Sequence, residues 1–226
     1  MFAGVGESLL HDPVGGSLLF VGVFALVIVF AGPEPSGLEG PIGRFPDIRV
    51  VRTVENTLYL AVVTLWVPLS VALGRSLRRT HPAPALFGTV LNLIGLGVLA
   101  AGALPHVVTV GLSDLYHAPA ATADDRRTLA LLRQATQGMF DALLLTGVLL
   151  MATGVILLGL AMHPEPAFGR GVGRASVALG VAGLAAGTVV LVDPDSPAAA
   201  LGVFALIGFH LVLGWKAYRL SRQFRA

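Results

Sequence analysis

The chain has 226 residues, of which 55% are hydrophobic and only 12% charged, and its mean hydropathy is +0.81. An ordinary soluble domain carries about a quarter charged residues, so this composition excludes that class and indicates a single polytopic membrane domain, a multi-pass protein of the cell membrane. The absence of cysteine excludes disulfides, thiolate metal sites and cysteine nucleophiles. The net charge of +2 comes from arginines divided among short links and a tail, a topology signal and not a nucleic-acid surface.

Residues 1–13 hold Glu7, His11 and Asp12 but no Lys or Arg, so they lack the positive start of a secretory signal, and the first apolar run is expected to be retained. That run covers 14–32, close to the roughly 20 residues that cross a hydrocarbon core. Pro33, Pro35, Pro41 and Pro46, with several glycines, make 33–47 a loop in this reading, one whose prolines would suit a rigid cover. A second helix is expected from about Asp47, with its span at 54–77 and a kink at Pro68. Arg49, Arg52, Asn56, Tyr59, Val63 and Trp66 recur at three- and four-residue steps and therefore share one helical face.

A tight basic turn at 75–84 leads to a third span over 85–112. Gly88, Gly95 and Gly102 recur every seven residues there, and Asn92 and His106 lie beside that seam, facing the bundle. The loop 113–123 carries Asp114 and His117. Thr122-Ala-Asp-Asp125 reads as a capping box opening a long fourth helix, which starts charged and continues into a span at 137–162 with a polar stripe of Gln134, Gln137 and Asp141. A fifth span at 172–192 repeats the heptad with Gly173, Gly180 and Gly187. The last, at 198–217, carries His210 and runs into a basic tail. In a bilayer, helices use glycine to approach closely, so both glycine series read as packing seams.

The fold expected is thus an all-α, six-span transmembrane bundle. With six crossings, the links near 75–84 and 163–174 share a side with the termini, and together these segments carry nine of the 15 Lys and Arg. The positive-inside rule then puts both termini in the cytoplasm. At about 1.5 Å rise per residue, His106 lies roughly 9 Å and Asp141 roughly 6 Å below the outer ends of their spans, where they are expected to pair. His210 lies roughly 20 Å from the same surface, too deep to share a metal ion or a haem with His106.

An ionisable side chain inside a span is expensive and normally faces other helices, which makes Asp141 the first functional candidate. With it at the outer end come His106, Arg52, Glu55, Asn56, Gln137 and Arg49; the arginines read as interface anchors, contacts to lipid phosphate or partners of an acidic ligand. His210, Asn92, Asp114 and His117 are secondary candidates. Three functions fit. One is binding or transport of a small or lipid-like ligand at the outer polar cluster, with Asp141 as acceptor or proton site, His106 as its partner and Arg52 as countercharge. Another is a metal- or haem-dependent enzyme or redox protein, for which His106 and Asp141 supply the ligands. The third is an accessory subunit packing its glycine faces against a membrane-protein partner or a second copy. No zinc-protease, nucleophile-elbow or phosphate-loop motif is present, so neither a cofactor nor a catalytic residue is identified.

The stretch Gln137-Gly-Met-Phe-Asp-Ala through Met162, then Gly169-Arg-Gly-Val-Gly-Arg174 and Val177 through Arg222, resembles the six-helix bacterial membrane proteins grouped as a domain-of-unknown-function family. The resemblance implies a helical membrane fold and carries no catalytic residue.

Overall fold

The computed structural model describes Gly32, residues 35–194 and residues 196–223. The apolar run at 14–32 lies outside the described residues apart from Gly32. Among the described residues there are six helices: α1 Gly40–Leu77, α2 Pro82–Ala101, α3 Leu104–Tyr116, α4 Ala123–Met162, α5 Gly169–Val192 and α6 Ala198–Gln223. No strand occurs among the described residues. By length and composition α1, the α2–α3 pair, α4 and α5 each suffice to cross a membrane, and α6 contributes a shorter apolar stretch, Ala200–Lys216.

Two boundaries depart from the sequence reading. Residues 40–47 are helix and not loop. Pro41 stands at the start of α1, where its missing N–H would have no helical acceptor in any case. Pro46 interrupts only one bond further on, and the turn around it buries Ile42 and Phe45, whose packing outweighs the lost hydrogen bond. Pro68 is likewise carried inside α1. The third span, expected as one helix, is broken at Gly102–Ala103. Pro105 has no N–H to offer the carbonyl of Ala101, and the chain tightens instead, with Gly102 N donating to Leu99 O at 2.9 Å and Ala103 N to Ala100 O at 3.1 Å.

The start of α4 is as expected. The Thr122 hydroxyl accepts from Asp125 N at 3.2 Å, and the Asp125 carboxylate accepts from Thr122 N at 3.0 Å, a reciprocal capping box. At about 1.5 Å per residue α4 is roughly 60 Å long, twice a hydrocarbon core, so its charged first turns extend past the apolar stretch.

α4 is the central element, packed between α2 and α5, while α1 lies against α2 and α3, and α6 against α5. The glycine heptads are the contact seams. A Cβ on Gly88 would fall 2.9 Å from Gly154 O, and one on Gly95 would fall 3.0 Å from Gly147 O, so α2 and α4 meet backbone to backbone. On the other side of α4, a Cβ on Gly173 would fall 2.9 Å from Gly159 O and one on Gly180 2.8 Å from Ala152 O. Between these seams Val62, Trp66, Leu96, Met151, Val155 and Phe209 form a continuous buried cluster.

Thr80 Oγ1 donates to Glu165 Oε2 at 2.8 Å. This bond joins the α1–α2 link, which carries Arg78 and Arg79, to the α4–α5 link just ahead of Arg170 in α5, and it sets both at the end of the bundle opposite the α3–α4 connection. Gly169 opens α5 at φ 79°, a left-handed conformation that disfavours a side chain, and its N–H closes the turn on Glu165 O at 2.9 Å.

Candidate functional site

At the α3–α4 end of the bundle, α1, the α2–α3 break and α4 enclose a cavity of about 560 Å³. Its polar wall contains Arg44, Arg52, Glu55 and Asn56 from α1, His106 and Thr109 from α3, and Arg133, Gln137 and Asp141 from α4. Phe45, Ile48, Phe140, Leu144 and Val203 supply an apolar lining. Local sequence places these groups. In α1 the steps 45, 48, 52, 55 and 56 form one stripe, and in α4 the steps 133, 137, 140, 141 and 144 form another. Continuing that α1 face inward, Tyr59 donates its hydroxyl to Leu99 O at 2.7 Å, just before the helix break, and Val63 and Trp66 are buried in the core.

Six of the seven leading candidates therefore share one cavity. The exception is Arg49, which projects away and pairs with Asp114 at 2.8 Å in an exposed bridge. His117 lies beside that bridge, its two ring nitrogens on Ser113 O at 2.8 Å and Gly43 O at 3.2 Å, and Tyr116 donates to Glu39 Oε2 at 2.8 Å. Arg49, Asp114 and His117 thus tie α3 to the start of α1 instead of facing the cavity.

Inside the cavity, Arg52 donates to Glu55 Oε2 at 3.0 Å, and Gln137 Nε2 donates to Asp141 Oδ1 at 3.0 Å. His106 packs near Phe45, ring centroids 6.1 Å apart, and its Nε2 is buried with no hydrogen-bond partner among the described residues. No hydrogen bond or ion pair joins His106 to Asp141 among the described residues; the two share the space without the direct pairing expected from their depths. The α2–α3 break lies between His106 and the straight helix assumed in that estimate. Among the described residues, no three His, Cys, Asp or Glu side chains converge as a metal site.

The remaining candidates are in the core. Asn92 is fully buried, its amide donating to Gly88 O at 3.2 Å and its Oδ1 without a partner among the described residues. His210, also fully buried, stacks on Trp66 with ring centroids 3.8 Å apart and planes 8° from parallel, its Nδ1 on Leu206 O at 2.8 Å.

Sequence reading missed Arg44, Arg133 and the aromatic wall of Phe45 and Phe140. Arg133 carried a usable signal, since it precedes Gln137 and Asp141 at steps of four. Arg44 and Phe45 were lost because their segment was read as a loop.

The chain belongs to the family described as Domain of unknown function (DUF4386), whose model matches residues 53–217. This range takes in the cavity-lining residues of α3 and α4 but begins after Arg44, Phe45 and Arg52 on α1. No curated protein and no solved structure matches the chain.

Proposed function

We propose that this member of the DUF4386 family binds or moves a small or lipid-like ligand through the cavity between α1, α3 and α4. In this reading it works as one six-span domain of the cell membrane, with both termini in the cytoplasm. The observation that carries it is the convergence of Arg52, Glu55, Asn56, His106, Gln137 and Asp141, from three helices, on one space of about 560 Å³. That volume lies within the roughly 300–1,000 Å³ of small-molecule sites, and an apolar lining with a few converging polar groups is their usual make-up. Asp141 serves as acceptor or proton site, His106 as the second polar group and Arg52, through its charge, as countercharge. The orientation is supported by the Thr80–Glu165 bond, which holds the link carrying Arg78 and Arg79 beside the start of α5, with Arg170, at one end of the bundle.

The test of the site is Asp141→Asn. Asparagine keeps an oxygen that accepts from Gln137 and removes the charge, so helix packing is preserved. Native mass spectrometry of gently purified protein is expected to show a co-purifying small molecule or lipid on the wild type and less of it on the variant. Equal occupancy would remove the role given to Asp141. The absence of cysteine makes the orientation testable in turn: single cysteines replacing Arg79 and Ala120, probed with an impermeant maleimide on intact cells, are expected to label only at 120.

A further inference from the structure

Five arginines gather at the end of the bundle opposite the cavity. Arg75 lies in the last turn of α1, Arg78 and Arg79 enter its link to α2, and Arg170 and Arg174 open α5. The Thr80–Glu165 bond at 2.8 Å holds the two regions together, over Leu77 and Met162 of the buried cluster and Phe168 packed against it. All five arginines are exposed, and their guanidinium groups make no ion pair or hydrogen bond among the described residues. Carboxylates are few at this end. Counting every residue of the links and termini, described or not, gives nine Lys and Arg against Glu7, Asp12 and Glu165.

Spacing along the helices sets the depth of these groups. On α1 no charge intervenes between Glu55 and Arg75, and on α5 none between Arg174 and Asp193. These are steps of 20 and 19 residues, about 30 Å each, or one hydrocarbon core. Two separate helices therefore put Arg75 and Arg174 at the same boundary of that core. The other three arginines lie just beyond it, at the level of the lipid phosphates.

The residue type is a further observation. Membrane orientation requires positive charge alone, for which lysine serves equally, yet all five are arginine and the chain's one lysine is Lys216. A guanidinium offers a planar fork to two oxygens of a phosphate, where an ammonium offers a point charge. α2 and α5 also start at this end, each without an acidic residue in its first turn or a side-chain cap, so their first N–H groups add positive partial charge.

We infer that the α1–α2 link and the start of α5 form one binding surface for anionic phospholipid. Arg78 and Arg79 on one side and Arg170 and Arg174 on the other hold the phosphates, as basic groups at the ends of spanning helices attract anionic head groups. The surface depends on neither the cavity nor its ligand; it requires only that the helices span the bilayer.

The experiment reconstitutes the full chain in nanodiscs of equimolar phosphatidylcholine and phosphatidylglycerol, which both carry a phosphate but differ in net charge. Native mass spectrometry counts the molecules of each that stay bound. The variants are Arg78→Gln/Arg79→Gln, Arg170→Gln/Arg174→Gln, the lysine counterpart of each pair, and Arg126→Gln/Arg127→Gln, which removes the same charge at the other end. Circular dichroism and gel filtration check folding, and a pair that fails is split into its single substitutions.

Phosphatidylglycerol is expected to be enriched over phosphatidylcholine on the wild type. Each glutamine pair should lower that enrichment by about fivefold for each arginine removed, the lysine pairs should be intermediate, and Arg126→Gln/Arg127→Gln should match the wild type. Equal retention of both lipids by the wild type would overturn the surface. An equal loss in the Arg126→Gln/Arg127→Gln protein would overturn it in favour of net charge. Lysine pairs that match the wild type would overturn the phosphate forks and leave these arginines as topology signals. Displacement of phosphatidylglycerol by inorganic phosphate, but not by chloride at the same ionic strength, would overturn the lipid as occupant in favour of a soluble anion.

Discussion

The seam between α2 and α4 makes a quantitative demand that two glycine substitutions separate. A Cβ added at Gly154 would run into the Asn92 amide and would lie 2.8 Å from Gly88 O and 3.0 Å from Asn92 N, whereas one added at Gly97 meets nothing within 4 Å. Gly88 O and Asn92 N are backbone atoms, so no side-chain rotation relieves the contact with them. Opening 2.8 Å to the 3.4 Å at which ordinary contact begins moves α2 away by about 0.6 Å. That movement loosens the neighbouring Gly95–Gly147 approach and the buried amide of Asn92. Overpacking of this kind costs about 1–3 kcal/mol. Helix propensity favours alanine by up to about 1 kcal/mol at either position and cancels in the comparison. At about 2–4 °C per kcal/mol for a chain of this size, Gly154→Ala should melt roughly 2–12 °C below Gly97→Ala, read by far-ultraviolet circular dichroism in one detergent. Equal melting temperatures, or a more stable Gly154→Ala, would refute the seam as the close contact that sets helix separation.

Four further outcomes follow from other contacts. His210→Ala should destabilise by about 2–4 kcal/mol through the cavity left against Trp66; His210→Phe should recover most of this, because it keeps the stack, and melting together with tryptophan fluorescence reads both. In the exposed Arg49–Asp114 bridge, whose side chains are 47% and 57% accessible, a double-mutant cycle to alanine should give a coupling below about 1 kcal/mol, shrinking further in high salt. Thr122→Ala should cost about 1 kcal/mol by removing half of the capping box, seen as faster amide exchange confined to the first turn of α4. Asp141→Asn should leave the stability within about 0.5 kcal/mol, as is typical of accessible positions, while lowering ligand occupancy, a separation that a purely structural carboxylate would not produce.

The helices and their seams were legible because glycine every seven residues and polar groups at steps of three and four are direct records of one helical face. The face running from Arg52 through Asn56 and Tyr59 to Trp66 is the clearest case: read from spacing alone, it turns inward along its whole length, first to the cavity and then to the core. Proline was the misleading signal. Its composition rule marks 33–47 as loop, yet a proline in the first turn of a helix sacrifices nothing, and burial of Ile42 and Phe45 extends α1 back to Gly40. The same residue type at 105 did break a helix, where the chain tightens at Gly102, three residues earlier. Arg49 shows a further limit: it shares a stripe with Arg52, but a carboxylate on α3, 65 residues away, draws it out of the site. Such partners are fixed by tertiary packing and leave no local trace. The absent His106–Asp141 bond has the same origin, since depth along two straight helices says nothing about a break between them.

The most direct test of the ligand-binding account compares wild type with the Thr109→Trp/Leu144→Trp variant, both extracted gently from their own membrane and examined by native mass spectrometry. The account predicts a bound small molecule or lipid on the wild-type protein that is missing from the folded variant. A wild type that carries nothing, or a variant that carries the same molecule at the same occupancy, would contradict it.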